Sequence, residues 1–140
     1  MRITKHQHAM LEISHQGETL VIDPGVYQQE LPKLENVTAV VLTHIHDDHS
    51  YLPHIQKLTT QNQVAIFGPL EVANKLSGIP VQVVSHGDHV KVGSFELDFS
   101  GDLHQEIHRS IPLVQNVGVL VNRKLFYPGD AYGYPEHRFE

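Results

Sequence analysis

The run Val37 to Thr43 (VTAVVLT) is continuous, apolar and rich in β-branched residues, and it leads directly into Thr43-His44-Ile45-His46-Asp47-Asp48-His49-Ser50. Such a run reads as a strand buried on both faces. A strand of that kind needs a layer on either side, which favours a layered α/β or α+β architecture with a mixed sheet over a helical bundle. The same strand delivers three histidines and two aspartates, within the six positions 44–49, to the loop at its end. Loops at strand ends are where sites are usually built.

The segments around this strand agree with the layered reading. Met10, Glu12 and Ser14 alternate with Leu11, Ile13 and His15. A turn at Gln16-Gly17-Glu18 and a return strand over Thr19 to Ile22 then predict a hairpin, which ends at Asp23-Pro24-Gly25. Leu52, Ile55 and Leu58 recur at helical spacing, so a helix is expected from near Ser50 to near Thr59. A strand over 64–67 follows, then a short helix from Leu70 to Leu76 with Gly78 as its expected cap. The remainder reads as strands over 81–84, 89–92, 95–99, 117–121 and 125–127. No repeat, linker or low-complexity stretch interrupts the 140 residues, so one domain over 1–140 is expected.

Composition narrows the chemistry. Twelve histidines and no cysteine mean that a metal would be held by His, Asp and Glu, without thiolates. A net charge of −6 with histidine neutral argues against a general nucleic-acid binder, leaving local groups such as Arg109, Arg123 and Lys124 to meet a single anion. The apolar runs are shorter than the ~18 residues of a membrane span. The first residues carry no secretory signal pattern, so the expected location is cytoplasmic.

On an extended stretch His44 and His46 project to the same side, and the turn after them brings Asp48 and His49 to neighbouring space. Imidazole nitrogens and carboxylate oxygens suit zinc and other divalent transition metals, so one loop can serve two adjacent ions. Asp23 at a strand end suits a carboxylate that orients a metal-binding imidazole, and a turn-forming role before Pro24-Gly25 explains it equally well. His8, before the first hairpin, is a further candidate for the site lining.

Thr43-His44-Ile45-His46-Asp47-Asp48-His49 resembles the T-H-x-H-x-D-H signature of the metallo-β-lactamase fold superfamily, and Leu125 to Asp130 resembles its later strand ending in Gly-Asp. With His8-Ala9 and Ile22-Asp23-Pro24-Gly25, the chain is most similar to the branch of metal-dependent hydrolases that includes L-ascorbate 6-phosphate lactonase. The resemblance implies an αββα sandwich of α+β class. It implies a first ion on His44, His46 and a later histidine, and a second on Asp48 and His49, with Asp130 bridging. For the later histidine His104 is preferred, and His108 is the runner-up should 104–108 be helical. The implied reaction is hydrolysis of a small-molecule ester, lactone or phosphoester, with Asp48 or Asp130 handling the proton of the attacking water. Zn2+ is the leading ion, and the same donors accept Mn2+, Fe2+ or Ni2+, up to two ions per chain.

Where the superfamily supplies one more histidine after a further α/β stretch, this chain has only His137, seven residues past Asp130. The expectation is a sandwich incomplete at its C-terminus, a weaker second ion, and an exposed sheet edge that promotes self-association. A non-catalytic metal-binding module is the competing class. A di-iron redox centre ranks lower, because such relatives carry Glu where this chain has His46. Arg109, Tyr132 and Tyr134 lie near proposed ligands and read as ordinary loop residues or substrate contacts. His6, His15, His54, His86, His89 and His137 are expected to have surface or packing roles.

Overall fold

The computed structural model describes residues 1–61 and 63–135; His137 lies outside them. The first sheet has six strands in chain order: β1 (Arg2–Lys5), β2 (Leu11–His15), β3 (Glu18–Ile22), β4 (Val37–Val41), β5 (Ala65–Gly68) and β6 (Gln82–Val83). Its first three strands are antiparallel, whereas β3 to β6 pair in parallel. The second sheet is antiparallel, with β7 (His89–Val92), β8 (Phe95–Ser100), β9 (Gly118–Val121) and β10 (Leu125–Tyr127) in the order β10-β9-β8-β7.

The alternation along each strand decides how these sheets meet. Leu11, Ile13, Leu20, Ile22, Ala39 and Val41 face Phe95, Leu97, Phe99, Val119 and Val121 in one core between the sheets. Phe67 of the first sheet meets Phe99 of the second, with ring centroids 6.3 Å apart. Burial of each such ring contributes roughly 1.5–3 kcal/mol. On the other face of the first sheet, Val37, Val40 and Leu42 pack with Ile55 and Leu58 of α1 (Leu52–Gln61) and with Val72 of α2 (Leu70–Lys75). The run that reads as doubly buried is thus covered on both sides, and Val37 to Leu42 leave only Thr38 partly accessible.

The layers are therefore α, β and β, the first three of the expected αββα order. Among the described residues both helices lie on the first sheet. α1 runs slightly past its expected end, and α2 is capped at Leu76, whose N–H donates to the Val72 carbonyl; Gly78, expected as the cap, lies two residues further on at φ +94°. The strand over Arg2–Lys5 was not anticipated, because its polar alternation ends in a histidine-rich bend without an apolar stripe. No helix among the described residues is long and apolar enough to cross a membrane.

Candidate metal centre

Strand ends from both sheets converge at one rim of the sandwich. β3 ends at Ile22 and hands the chain to Asp23, β4 leads to His44, and beyond β8 and β10 lie His104 and Asp130. Two close approaches hold this rim together. A Cβ on Gly25 would overlap the backbone carbonyl of Asp48, so only glycine lets the 23–26 turn lie against the histidine loop. Gly129 sits at φ +63°, and a Cβ there would come within 2.8 Å of the Thr43 side chain. That glycine sets Asp130 beside the loop.

Lys75 fastens the loop from below. Its Nζ donates to the carbonyls of Ile45 (2.5 Å) and Ser50 (2.9 Å) and to Asp47 Oδ1 (2.8 Å). The segment bearing His104 is tied to α2 by a reciprocal pair. Glu71 N–H donates to Gln115 Oε1 at 3.0 Å, and Gln115 N–H donates to Glu71 Oε2 at 2.8 Å.

The ring nitrogens of His44, His46 and His104 form one group in which the three ligand atoms lie within 4.8 Å of one another. Their ring centroids are 4.8 to 4.9 Å apart in every pair. His44 and His104 are buried, and the Nε2 of each has no hydrogen-bond partner. Such orphaned buried atoms are rare, because each costs about 1–3 kcal/mol.

Their tautomers follow from the neighbouring bonds. His104 Nδ1–H donates to the Gln105 carbonyl at 2.6 Å, which leaves a lone pair on Nε2. Thr43 Oγ1–H donates to Asp23 Oδ2 at 2.6 Å, so this hydroxyl can only accept from His44 Nδ1 at 2.9 Å, and His44 too keeps its lone pair on Nε2. Burial first, then the neighbouring His49, His104 and His46, push His44 down to about 2. His46, only part-buried, is lowered for the same leading reason. Both rings are therefore neutral and suited to donate to a cation.

A second group joins His8, Asp48 and His49. His49 Nδ1–H donates to buried Asp23 Oδ2 at 2.7 Å, and its Nε2 faces Asp130 Oδ1 at 3.3 Å and Asp48 Oδ2 at 3.6 Å. Burial lowers His49, but the bond to Asp23 and the charges of Asp23, Asp130 and Asp48 outweigh it and raise the ring overall. The ring thus stands among acidic groups that favour positive charge. Asp130 spans the two groups, with its other oxygen, Oδ2, 3.4 Å from His104 Nε2.

Asp23 anchors both groups. Besides Thr43 Oγ1–H and His49 Nδ1–H, it accepts Thr43 N–H at 2.8 Å, and its backbone stands at φ +48°. Both expected readings of Asp23 have a counterpart: its carboxylate holds the His49 ring, and its carbonyl accepts Gly25 N–H at 2.8 Å in the turn. Asp48 accepts from His8 Nε2 at 2.8 Å, and despite burial this bond and His49 hold its carboxyl below the usual range.

All six residues expected to bind metal, His44, His46, Asp48, His49, His104 and Asp130, meet at this rim. The runner-up does not. His108 is exposed and bonds to Ser110, because 104–108 is not helical. Thr43 and Lys75 went unrecognised as site-supporting residues; the Thr in T-H-x-H was the available signal for the first, and none existed for the second. Tyr132 lines a cavity of about 420 Å³ beside His104 and Asp130, while Tyr134 and Arg109 are exposed.

Comparison with known proteins places the chain in a family. The family model described as the beta-lactamase superfamily domain matches residues 2–138. Protein Rv0786c of Mycobacterium tuberculosis is 29% identical over 142 residues, spanning 96% of this chain and 66% of that protein. A UPF0173 metal-dependent hydrolase of Anoxybacillus flavithermus is 32% identical over 121 residues, spanning 83% of this chain and 52% of that one. The chain thus spans about half to two thirds of these relatives. CmlA, a diiron β-hydroxylase from Streptomyces venezuelae, matches with a TM-score of 0.64 at 19% identity over 86% of this chain and 27% of that one, a likeness of fold alone.

Proposed function

The chain belongs to the beta-lactamase superfamily domain family, and from that membership we propose that its rim cluster holds up to two divalent cations and hydrolyses an ester, lactone or phosphoester of a small molecule. The sandwich is the metallo-β-lactamase fold of its solved neighbours, a fold shared by CmlA, a diiron β-hydroxylase, so the chemistry must be argued from the site.

The observation that carries the reading is the pair of orphaned, buried lone pairs on His44 Nε2 and His104 Nε2, converging with His46. A cation supplies the missing partner. Three imidazoles with an adjacent carboxylate suit zinc, with Mn2+, Fe2+ or Ni2+ as alternatives. In this reading His44, His46 and His104 hold the first ion, Asp48 and His49 the second, and Asp130 bridges them. When bound, the ions would supply Lewis acidity, lowering the pKa of a water towards ~7 and polarising the substrate oxygen.

The chain's own groups do the rest. Asp23 fixes the His49 ring directly and the His44 ring through Thr43, so that His44 presents a lone pair on Nε2 and His49 would do so once a cation takes the place of the proton its acidic neighbours favour. Asp130 accepts the proton of the attacking water and, as the more accessible of the two carboxylates, passes it to the leaving group; Asp48 is the alternative acceptor. The adjoining cavity, lined by Ile107, Pro128, Ala131 and Tyr132, takes the apolar part of the substrate. Among the described residues β10 is an edge strand of the second sheet, which suits association of two copies, and sedimentation would register a dimer.

The test is elemental analysis after zinc loading, paired with hydrolysis of a panel of esters, lactones and phosphodiesters. The expected result is one to two ions per chain and turnover on at least one class, both diminished in H46A and H104A. A parent chain without bound metal, or variants with unchanged metal content, overturns the assignment.

A further inference from the structure

The outermost member of the cluster is His8, which comes from the bend between β1 and β2, at the opposite end of the chain from Asp130. The fold invests several contacts in placing it. Its backbone stands at φ +50°, a conformation that non-glycine residues hold only under constraint. Lys5 Nζ donates to the carbonyls of His6 (2.8 Å) and His8 and so pins the bend. Gln7 N–H donates to Gln28 Oε1, and Gln29 N–H to Gln7 Oε1, each at 3.0 Å. These bonds bring the 25–30 loop against the bend and set the Tyr27 ring edge-on to the His8 ring, with centroids 4.9 Å apart.

The product of this effort is one contact, His8 Nε2 to Asp48 Oδ2 at 2.8 Å. Around the second ion the donor count is met without His8. Asp48, His49, the bridging Asp130 and a water make four, the number zinc takes. A ligating carboxylate still needs its remaining lone pairs occupied to hold one orientation. Asp48 has a backbone fixed by Gly25 and a side chain 29% exposed. Among the described residues, His8 is the side chain that hydrogen-bonds this carboxylate.

We propose that His8 is a positioning residue for the second ion: its Nε2–H holds the Asp48 carboxylate in the ligating orientation. This rests on the binuclear reading above. The hairpin bend thereby becomes part of the centre, and the second ion's affinity depends on a residue 40 positions from its ligand.

The experiment measures zinc affinity of the full chain by competition with a chelating dye, for the parent, H8A and H8Q. Expected is a parent that binds two Zn2+, with H8A keeping the tighter ion and weakening the other by about 10–100-fold. H8Q should return close to the parent, since its amide N–H can donate to Asp48 while amides are poor zinc ligands. An unchanged second affinity in H8A overturns the proposal. So does an H8Q as weak as H8A, which would make the imidazole a direct ligand. A parent that binds fewer than two Zn2+ overturns the binuclear reading itself, a result distinguishable from the first two because it appears before any variant is compared.

Discussion

Replacing Asp23 by Asn changes one atom at the point where both histidine groups are anchored. The carboxylate is fully buried, and among the bonds it accepts three come from Thr43 N–H, Thr43 Oγ1–H and His49 Nδ1–H, beside the Tyr127 hydroxyl. An amide cannot accept all three. If its oxygen keeps Thr43 N–H, the NH2 group faces Thr43 Oγ1 and His49 Nδ1. The hydroxyl must then turn to donate to His44 Nδ1, and both imidazoles must move their proton to Nε2, where it points at the ion positions. If the amide flips, its NH2 opposes the Thr43 N–H instead. The first arrangement loses two bonds to a charged acceptor and the flipped one loses one, each worth about 1.5–3 kcal/mol, for a total of about 1.5–6 kcal/mol. At roughly 3–5 °C per kcal/mol for a chain of this size, the metal-free Tm should fall by about 5–30 °C. Differential scanning calorimetry at pH 8 in chelator measures the fall. Long-range proton–nitrogen correlation spectra read the tautomers, with His44 and His49 carrying Nδ1–H in the parent and Nε2–H in D23N. A variant that melts with the parent and retains both Nδ1–H tautomers would refute the relay through Thr43.

Two further outcomes follow from the same rim. Gly25→Ala forces the 23–26 turn off the histidine loop, because its methyl overlaps the Asp48 carbonyl; the expected cost is about 3 kcal/mol or more, with metal binding lost alongside, and a melt within experimental error of the parent would contradict it. For pH, His44 is lowered from 6.5 to about 2 by burial and then by its neighbouring histidines. Its contribution to the metal-free fold is therefore complete above pH 6.5 and declines as pH falls, by ~1.4 kcal/mol per unit, or about 2 kcal/mol by pH 5. The raised His49 contributes in the opposite sense: its stabilisation is present below 6.5 and lost as pH rises through its folded value, so it offsets the decline only above pH 6.5 and leaves the fall from 6 to 5 intact. Melts of chelated protein at pH 7, 6 and 5 should fall accordingly, and a flat profile would contradict the neutral His44.

Much of this was legible because the informative contacts are local or sit at strand ends. The strand Val37–Val41 announced its double burial through composition, and His44, His46, Asp48 and His49 follow it in a fixed pattern. His104 was readable because it comes soon after β8 ends, at Ser100. The runner-up His108 failed on local conformation. The stretch from Gly101 to Asn116 holds only the isolated bridge between Leu103 and Gln115, so no helical repeat aligns His108 with His104. The supporting contacts were not readable, since Lys75 with Asp47 and His8 with Asp48 join residues 28 and 40 positions apart. Long flexible side chains reach such partners only after the sheets have docked, and no periodicity encodes that meeting.

The origin of the six proposed ligands has a thermodynamic consequence. His44, His46, Asp48 and His49 hang from the first sheet, while His104 and Asp130 hang from the second. An ion shared between them is a cross-link over the seam of the sandwich, and it binds only the docked arrangement. By mass action its contribution to holding the sheets together grows with free ion, reaching about 2.7 kcal/mol at a hundred times the dissociation constant. The apolar interface and the ion thus share one task, and the metal supply of the surroundings becomes a regulator of how often the two sheets part.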